Sequence, residues 1–309
     1  MEQSVKRSFW DRENLCQWRF EKLGDCWHLW TPEDYRIIFR DEEDFKAGMT
    51  LMAVCAMLFP NVKILTFELM SNHIHITAAC KEVDLSSLFA LFKKLLSKHI
   101  LSRYGSMDLG DWNCKKRHIE NLEDLRTVIA YDNRNGYLVH PDETPFSYPW
   151  GANRYYFNPE AKLRFREQAG PLGFRDRRRV THSHLADSLS GLLQLDGYAS
   201  PLCFCAIDEA EACFRDARHY FYKIARDIES QKTVSREIGE GLFYTDDELY
   251  SALVVHCKEK YNNRNPSLLG SEAKIDVAKL MRHEYNAGTK QIQRMLKMDA
   301  AVVAALFGS

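Results

Sequence analysis

Two histidines separated by a single residue lie in an apolar stretch of this 309-residue chain. Residues 63–80 read KILTFELMSNHIHITAAC, a composition typical of β-strands, and contain His73 and His75. Because side chains two residues apart on a strand point to the same face, the two imidazoles would converge on one point, as a two-histidine metal site requires. Asn72 directly precedes the pair and could orient it through a hydrogen bond from outside the coordination sphere.

The histidine pair alone is a weak signal. The chain has eleven histidines, and a second triplet of this pattern, His182-Ser183-His184, lies in a polar stretch where we interpret it as accidental. The alternative for His73 and His75 is a pair of half-buried strand residues with ordinary hydrogen bonds. A nucleophile downstream would favour the metal site over that alternative.

A tyrosine and an asparagine four residues apart follow in a helical pattern. Residues 125–136 read LRTVIAYDNRNG, so Tyr131 and Asn135 would share one helix face. A tyrosine hydroxyl can attack a phosphodiester, but its ordinary pKa of about 10 means that it needs help, which a divalent cation on the phosphate supplies. Asn135 can add an oxygen ligand, and oxygen with imidazole ligands suits Mg²⁺ or Mn²⁺. The alternative is a packed tyrosine beside an exposed asparagine.

The elements around these motifs predict an α+β domain with an antiparallel sheet flanked by helices. We expect strands over residues 27–31, within 61–79 and over 114–119, and helices over 41–58, 85–104 and 121–135. The helix over 85–104 has an apolar stripe, with Lys93, Lys94 and Lys98 largely outside it. We predict that these three lysines contact the backbone of single-stranded DNA.

A basic section follows the first domain. Residues 158–185 contain several arginines, among them Arg177, Arg178 and Arg179, and also glycine and proline. We predict a basic linker whose arginines bind phosphate, and an exposed, flexible connection is an equally good interpretation.

The last section, residues 186–309, is nearly all helix-patterned. Within it, residues 274–308 predict three short helices that resemble a helix-turn-helix unit, with an ordinary three-helix cap as the alternative. Lys290, Gln291 and Arg294 are the side chains best placed there to contact DNA. The predicted domains are therefore 1–157, 158–185 and 186–309.

Taken in order, these motifs resemble the insertion-sequence transposases of the HUH, single-tyrosine class, and most closely the REP-associated tyrosine transposases. The resemblance covers roughly residues 25–157 and implies a ferredoxin-like sheet with His73 and His75 as metal ligands. It also implies Tyr131 as a nucleophile that forms a 5′-phosphotyrosine, and Asn135 as a residue that helps to hold the metal. The chain departs from the family at Ser71 and Gly136, where the family usually has proline.

The expected function is that of a DNA transposase, which nicks and rejoins single-stranded DNA at hairpin-forming ends. The alternative is a domesticated, sequence-specific DNA-binding protein without transposition activity. A weaker third interpretation is a plasmid replication initiator, which would often carry a helicase domain, and the sequence has no Walker-type phosphate-binding motif.

Composition bounds these expectations without choosing among them. The chain is 45% hydrophobic and 28% charged with a net charge of −1, which is typical of a globular protein. No apolar run reaches the roughly 18 residues of a membrane span, and the N-terminal residues do not resemble a secretory signal. Nine cysteines without a C-x-x-C pair indicate reduced thiols in a cytoplasmic protein. We expect single-stranded or hairpin DNA as the partner, no membrane, and either a monomer or a homodimer.

Overall fold

The computed structural model describes residues 9–32, 35–105, 109–134, 148–224, 246–263, 265–283, 285 and 287–307. It confirms the predicted α+β class, because a small antiparallel sheet is combined with many helices. No helix within these ranges is long and apolar enough to cross a bilayer.

The main sheet has four strands, β1 (Cys26–Trp30), β2 (Lys63–Leu69), β3 (Ile74–Ala79) and β4 (Lys115–Ile119). The strands are antiparallel to their neighbours and follow the order β2-β3-β1-β4. One helix connects β1 to β2 and another connects β3 to β4, so the chain order is β-α-β-β-α-β. Strands β1 and β3 are therefore the two central strands, and each has a neighbouring strand on both sides.

Four helices accompany this sheet: α1 (Phe9–Leu23), α2 (Glu42–Leu58), α3 (Glu82–Tyr104) and α4 (Leu122–Asn133). Asp41 caps α2 by accepting a hydrogen bond from the Asp44 amide, and Asn121 caps α4 in the same way. Gly105 ends α3 in the left-handed conformation, which favours glycine. These local signals explain why the predicted helices and the observed ones agree within a few residues.

The two faces of the sheet are covered differently. Gly48 of α2 approaches Leu69 so closely that a Cβ there would lie 2.9 Å from its Cδ1 atom, so α2 packs tightly on this face. Helix α4 packs on the opposite face, against β2 and β3. Helix α1, which the sequence did not predict, is joined to α4 by an ion pair between Glu13 and the buried Arg126.

The predicted basic linker differs from the structure. Residues 158–185 form α5 (Pro159–Gln168), a two-residue strand β5 (Gly170–Pro171) and α6 (Phe174–Thr181). After them come the short strands β6 (Leu193–Leu195) and β7 (Tyr198–Ala199), the helix α7 (Ile207–Glu211) and a helical segment over residues 217–224. Leu172, Ala199 and Ile224 belong to the same hydrophobic core as the sheet, so this region is packed onto the first domain.

A second core is formed near the C-terminus. Its helices are α8 (Asp246–Tyr261), α9 (Ser271–His283), α10 (Thr289–Leu296) and α11 (Ala300–Phe307). Buried side chains from all four helices meet there, among them Leu253, Met281, Ile292 and Val303. Three helices occur where the sequence predicts them, and α8 adds a fourth that shares their core.

Candidate metal and nucleophile site

A polar layer lies between the sheet and α4. We use this name for Thr66 and Glu68 of β2, His75 and Thr77 of β3, His28 of β1, and Asp132 and Asn133 of α4, all of which are buried. The strand residues occupy cross-strand positions on one face, since Glu68 is paired with His75, and Thr66 and His28 are both paired with Thr77. A strand face that packs beneath a helix is usually apolar, so this layer is the first candidate for a functional site.

Helix α4 is bound to this face by two hydroxyl groups. Thr77 donates a hydrogen bond to Asp132 Oδ2 over 2.7 Å, and Thr66 donates one to Asn133 Oδ1 over 2.5 Å. Asn133 in turn donates to the hydroxyl oxygen of Tyr220 over 2.9 Å. These bonds fix the last turn of α4, and with it the direction of the neighbouring Tyr131.

His28, His75 and Asp132 form a group that can hold a metal ion. His28 Nε2 lies 3.3 Å from His75 Nδ1 and 3.1 Å from Asp132 Oδ1, and the last two atoms are 3.6 Å apart. Ligand atoms at about 2.1 Å from a shared ion are roughly 3.0–3.4 Å from one another in octahedral or tetrahedral geometry. Two of the separations fall in this range and that between His75 and Asp132, 3.6 Å, is slightly longer, so the group fits a divalent cation after a small adjustment of the side chains. The donor types, two imidazoles and a carboxylate, suit such an ion.

Burial keeps the imidazoles of His73 and His75 neutral. Desolvation lowers the pKa of His73 to about 3. Desolvation, followed by electrostatic repulsion, which includes that from the guanidinium of Arg134, holds the pKa of His75 well below its ordinary value. A neutral imidazole presents a lone pair, which is the form that binds a metal.

Tyr131, the predicted nucleophile, lies beside these histidines. Its ring centroid is 5.5 Å from that of His75 and 6.4 Å from that of His28. The guanidinium carbon of Arg134 lies 4.3 Å from the Tyr131 ring centroid, on the side chain of a residue that is itself buried. The Tyr131 side chain is half-buried, so part of it is accessible to solvent.

The predicted metal ligands are placed unequally. The imidazoles of His73 and His75 are 5.1 Å apart between centroids, and both side chains are buried. His73 Nδ1 is 2.7 Å from Asn72 Oδ1, so a metal would have to bind His73 through Nε2. Asn135 lies outside the described residues. Of the predicted set, His75 is therefore the member that also belongs to the group with His28 and Asp132.

Sequence reasoning missed His28 and Asp132. His28 is the middle residue of an aromatic strand, and its alternation with Cys26 and Trp30 places it on the same face as His75. Asp132 directly follows the predicted nucleophile. The alternation of polar residues along three strands marks one sheet face as polar and could have found His28, but it gives no signal for Asp132, which lies on α4.

The predicted DNA-binding lysines lie on the other side of the sheet. Lys116 of β4 connects to Glu82 and Ser86 of α3, so α3 covers the face that α4 does not. Lys94 is exposed and Lys98 half-buried, while the side chain of Lys93 donates to the carbonyl of Gly110 over 2.9 Å. Contact of these lysines with DNA remains a prediction, and it would be made away from Tyr131.

Arg177 is a structural residue, which corrects its predicted placement on a phosphate-binding surface. Its side chain is buried and donates to the backbone carbonyls of Leu172, Ala186 and Asp187. A guanidinium occupied by three carbonyls holds the local chain together and has no surface left for phosphate.

The two following arginines are at the surface. Arg178 is paired with Asp187, and Arg179, 79% exposed, lies 3.6 Å from Asp176. Because surface ion pairs are weak, a phosphate can compete for both arginines. In the C-terminal unit Lys290 is exposed, and Gln291 and Arg294 are half-buried on α10, so their predicted contact with DNA stays a prediction.

Comparison with known proteins adds no relative to this description: no protein-family model, no curated protein and no solved structure matches the chain significantly.

Proposed function

We propose that the protein is a metal-dependent transposase that cuts and rejoins single-stranded DNA through Tyr131. The observation that carries the proposal is the position of this phenol, on α4, next to a group of buried histidines on β1 and β3. A nucleophile for phosphoryl transfer and ligands for a divalent cation are the two components that this chemistry needs.

The topology is compatible with the resemblance noted in the sequence. A β-α-β-β-α-β chain with strand order β2-β3-β1-β4 is the ferredoxin-like arrangement, which the HUH resemblance implies. Fold alone does not specify an activity, so this agreement supports the proposal only together with the site.

Each residue has a defined role in the proposed reaction. The Tyr131 hydroxyl oxygen attacks the scissile phosphorus, giving a 5′-phosphotyrosine and a free 3′-hydroxyl, which can reverse the step on the same or another strand. The phenol gives up its proton as its oxygen attacks, and the leaving 3′ oxygen takes one up, so the step consumes no net proton. Arg134, packed against the ring, holds the phenol in place and presents positive charge near the phosphate.

A cation at this site would supply one component of the chemistry. When bound, Mg²⁺ or Mn²⁺ would offset the charge that develops on the phosphate oxygens and the leaving 3′ oxygen. His75 would hold it, with His28 and Asp132 or with His73 and Asn135 as the other ligands. Nδ1 of His75 is the ligand atom in the group with His28 and Asp132, whereas Nε2 of His75, which is buried without a hydrogen-bond partner among the described residues, would be the ligand atom in the set with His73 and Asn135.

A DNA-binding protein without transposition activity is the second candidate. It is favoured by the burial of the proposed ligands, since His28, His75 and Asp132 are all at most 7% exposed. Under this interpretation the polar layer is a remnant of the catalytic centre, and the C-terminal helices bind the DNA.

A gel assay for a covalent protein–DNA adduct tests the proposal directly. Full-length protein is incubated with a labelled hairpin oligonucleotide in Mn²⁺, in Mg²⁺ and in EDTA, then denatured. Adduct in the presence of a cation and its loss in EDTA are expected. Binding of the hairpin without adduct under all three conditions would instead favour the DNA-binding protein.

A further inference from the structure

Glu68 is a buried carboxyl group without a hydrogen-bond partner in the part of the chain that the structure describes. It lies on β2 directly opposite His75 and is completely buried. Among the residues that the structure describes, neither of its carboxylate oxygens has a hydrogen-bond donor, and the side chain is in no ion pair. A buried carboxylate without a partner costs several kcal/mol, so an isolated group of this kind calls for an explanation.

The direction of the side chain is set by the sheet. Thr66, two residues before Glu68 on β2, bonds to α4, so this face of the strand is the one that α4 covers. At the edge of β2, Gly151 leaves no room beside Glu68, because a Cβ at residue 151 would lie 2.7 Å from Glu68 Cγ. The carboxyl group is therefore confined within the polar layer and cannot reach solvent past this edge.

Unsatisfied atoms are concentrated in this layer. Eight buried side-chain atoms in the described part of the chain lack a hydrogen-bond partner, and four of them belong to Glu68, His75 and Asp132. These four are both oxygens of Glu68, Nε2 of His75 and Oδ1 of Asp132, which is 3.1 Å from His28 Nε2 but not in hydrogen-bond geometry. The three oxygens are acceptors, as is Nε2 of His75 in the tautomer that carries its proton on Nδ1, and a cation is a partner that satisfies several acceptors at once.

We propose that Glu68 is a cation ligand, which supplies a second carboxylate to an ion held by His75 and Asp132. Because the Glu68 oxygens lie outside the compact group of His28, His75 and Asp132, coordination takes place after side-chain rotation or through one bound water. Imidazole nitrogens together with two carboxylates suit Mn²⁺ and related transition metals. The inference rests on the proposed cation, but not on strand transfer by Tyr131.

Mn²⁺ binding to the full-length, DNA-free protein tests this assignment. The free ion is followed by electron paramagnetic resonance during titration of the wild type, Glu68→Gln and Glu209→Gln. Glutamine keeps the shape of the buried group and removes its charge, so we expect at least a ten-fold higher Kd for Glu68→Gln. Glu209→Gln removes a surface carboxyl paired with Lys63 and should bind Mn²⁺ as the wild type does. Wild-type affinity in a folded Glu68→Gln protein would overturn the proposal.

A second measurement covers the case in which Glu68→Gln does not fold. Anomalous scattering from a wild-type crystal soaked in Mn²⁺ locates the ion without any substitution. We expect the ion at about 2.2 Å from a Glu68 oxygen, or at about 4–5 Å if one water intervenes. An ion between His73 and His75, with Glu68 beyond that reach, would overturn the assignment.

Failure of this inference and failure of the proposed function are distinguishable. If Mn²⁺ binding depends on Glu68 and no DNA adduct forms, the site is a cation site in a protein that lacks the proposed chemistry. If adduct forms in Mn²⁺ and Glu68→Gln binds Mn²⁺ normally, the transposase proposal stands and Glu68 is a packed, uncharged residue.

Discussion

The phenol ring of Tyr131 stands edge-on to the imidazole of His75, with 5.5 Å between the ring centroids and 74° between the ring planes. One residue comes from the last turns of α4 and the other from the central strand β3. Their contact depends on the bonds from Thr66 and Thr77 that hold α4 on the sheet. A tyrosine required only for packing is expected against apolar side chains, whereas Tyr131 lies against the most polar part of the interior.

Replacing Tyr131 by phenylalanine should abolish the covalent DNA adduct, because the attacking oxygen is lost while the ring remains against Arg134. We expect the rate of adduct formation to fall at least 1,000-fold, which corresponds to a loss on the order of 4 kcal/mol in transition-state stabilisation. Hairpin affinity, measured by fluorescence anisotropy, should be unchanged. Tyr222→Phe is the matched control, since Tyr222 is 62% exposed, and it should keep full adduct yield. Adduct formation by Tyr131→Phe would exclude this nucleophile.

Cation binding should stabilise the fold through His75. An ion that binds only the folded state at 100 times its Kd raises the free energy of unfolding by about 2.7 kcal/mol, which a thermal melt detects as a higher Tm. His75→Ala should lose this Mn²⁺-dependent increase. His184→Ala is the control from the other H-x-H triplet, because its side chain is 81% exposed, and it should respond to Mn²⁺ as the wild type does. An equal increase in Tm for His75→Ala would remove His75 from the site.

Acid should destabilise the metal-free protein through His73. Burial lowers its pKa to about 3, whereas an unfolded histidine titrates near 6.5. Between pH 3 and pH 6.5 the unfolded state holds a proton on His73 that the folded state lacks. The contribution of neutral His73 to the free energy of unfolding is therefore fully present above about pH 6.5 and decreases as the pH is lowered toward 3. The loss should be on the order of 1 kcal/mol per pH unit.

Urea unfolding in EDTA across this pH range measures the effect as the difference between the wild type and His73→Asn. The difference should change with the expected slope, while the exposed control His283→Asn should run parallel to the wild type. Parallel profiles for the wild type and His73→Asn would mean that His73 titrates alike in both states.

Local signals in the sequence were enough to predict three of the four helices next to the sheet, α2, α3 and α4. Asp41 and Asn121 cap α2 and α4 from their own chain neighbourhood, and Gly105 ends α3, so no tertiary information was needed. The approach of His28 to His75 is different, because the pairing of β1 with β3 is a property of strand order, which residue spacing does not reveal. Asp132 was missed for a similar reason, because its place in the site depends on the packing of α4 against the sheet, where it accepts a hydrogen bond from Thr77.

Charge composition was a poor guide to residues 158–185. Their arginines suggested an exposed linker, but Arg177 is buried because three backbone carbonyls accept its hydrogen bonds. Which carbonyls surround a guanidinium depends on packing between α6 and the loop after it. A sequence reports that arginine is present and leaves its partners undetermined.

Arg177 and Arg179 should therefore respond differently to substitution. Arg177→Ala leaves buried carbonyls unsatisfied and should cost about 2–3 kcal/mol in urea unfolding, with DNA affinity per folded molecule unchanged. Arg179→Ala should change stability by less than about 0.5 kcal/mol. If Arg179 contacts phosphate, its loss should also make the decrease of log affinity with log salt concentration less steep, by about 1 in the magnitude of the slope. A lower salt slope for a folded Arg177→Ala protein would contradict its structural role.

The C-terminal helices have a hydrophobic core of their own, so surface substitutions can test whether they bind DNA without disturbing that core. Lys290 is exposed near the start of α10, whereas the positions that build the core, such as Ile292 and Leu296, face inward. If α10 contacts DNA, Lys290→Glu replaces an attractive contact by a repulsive one and should weaken hairpin binding about ten-fold at low salt. Lys279→Glu makes the same charge change at an exposed position of α9 and controls for net charge. Equal losses for the two variants would indicate a general electrostatic effect, and these helices would then be a structural cap.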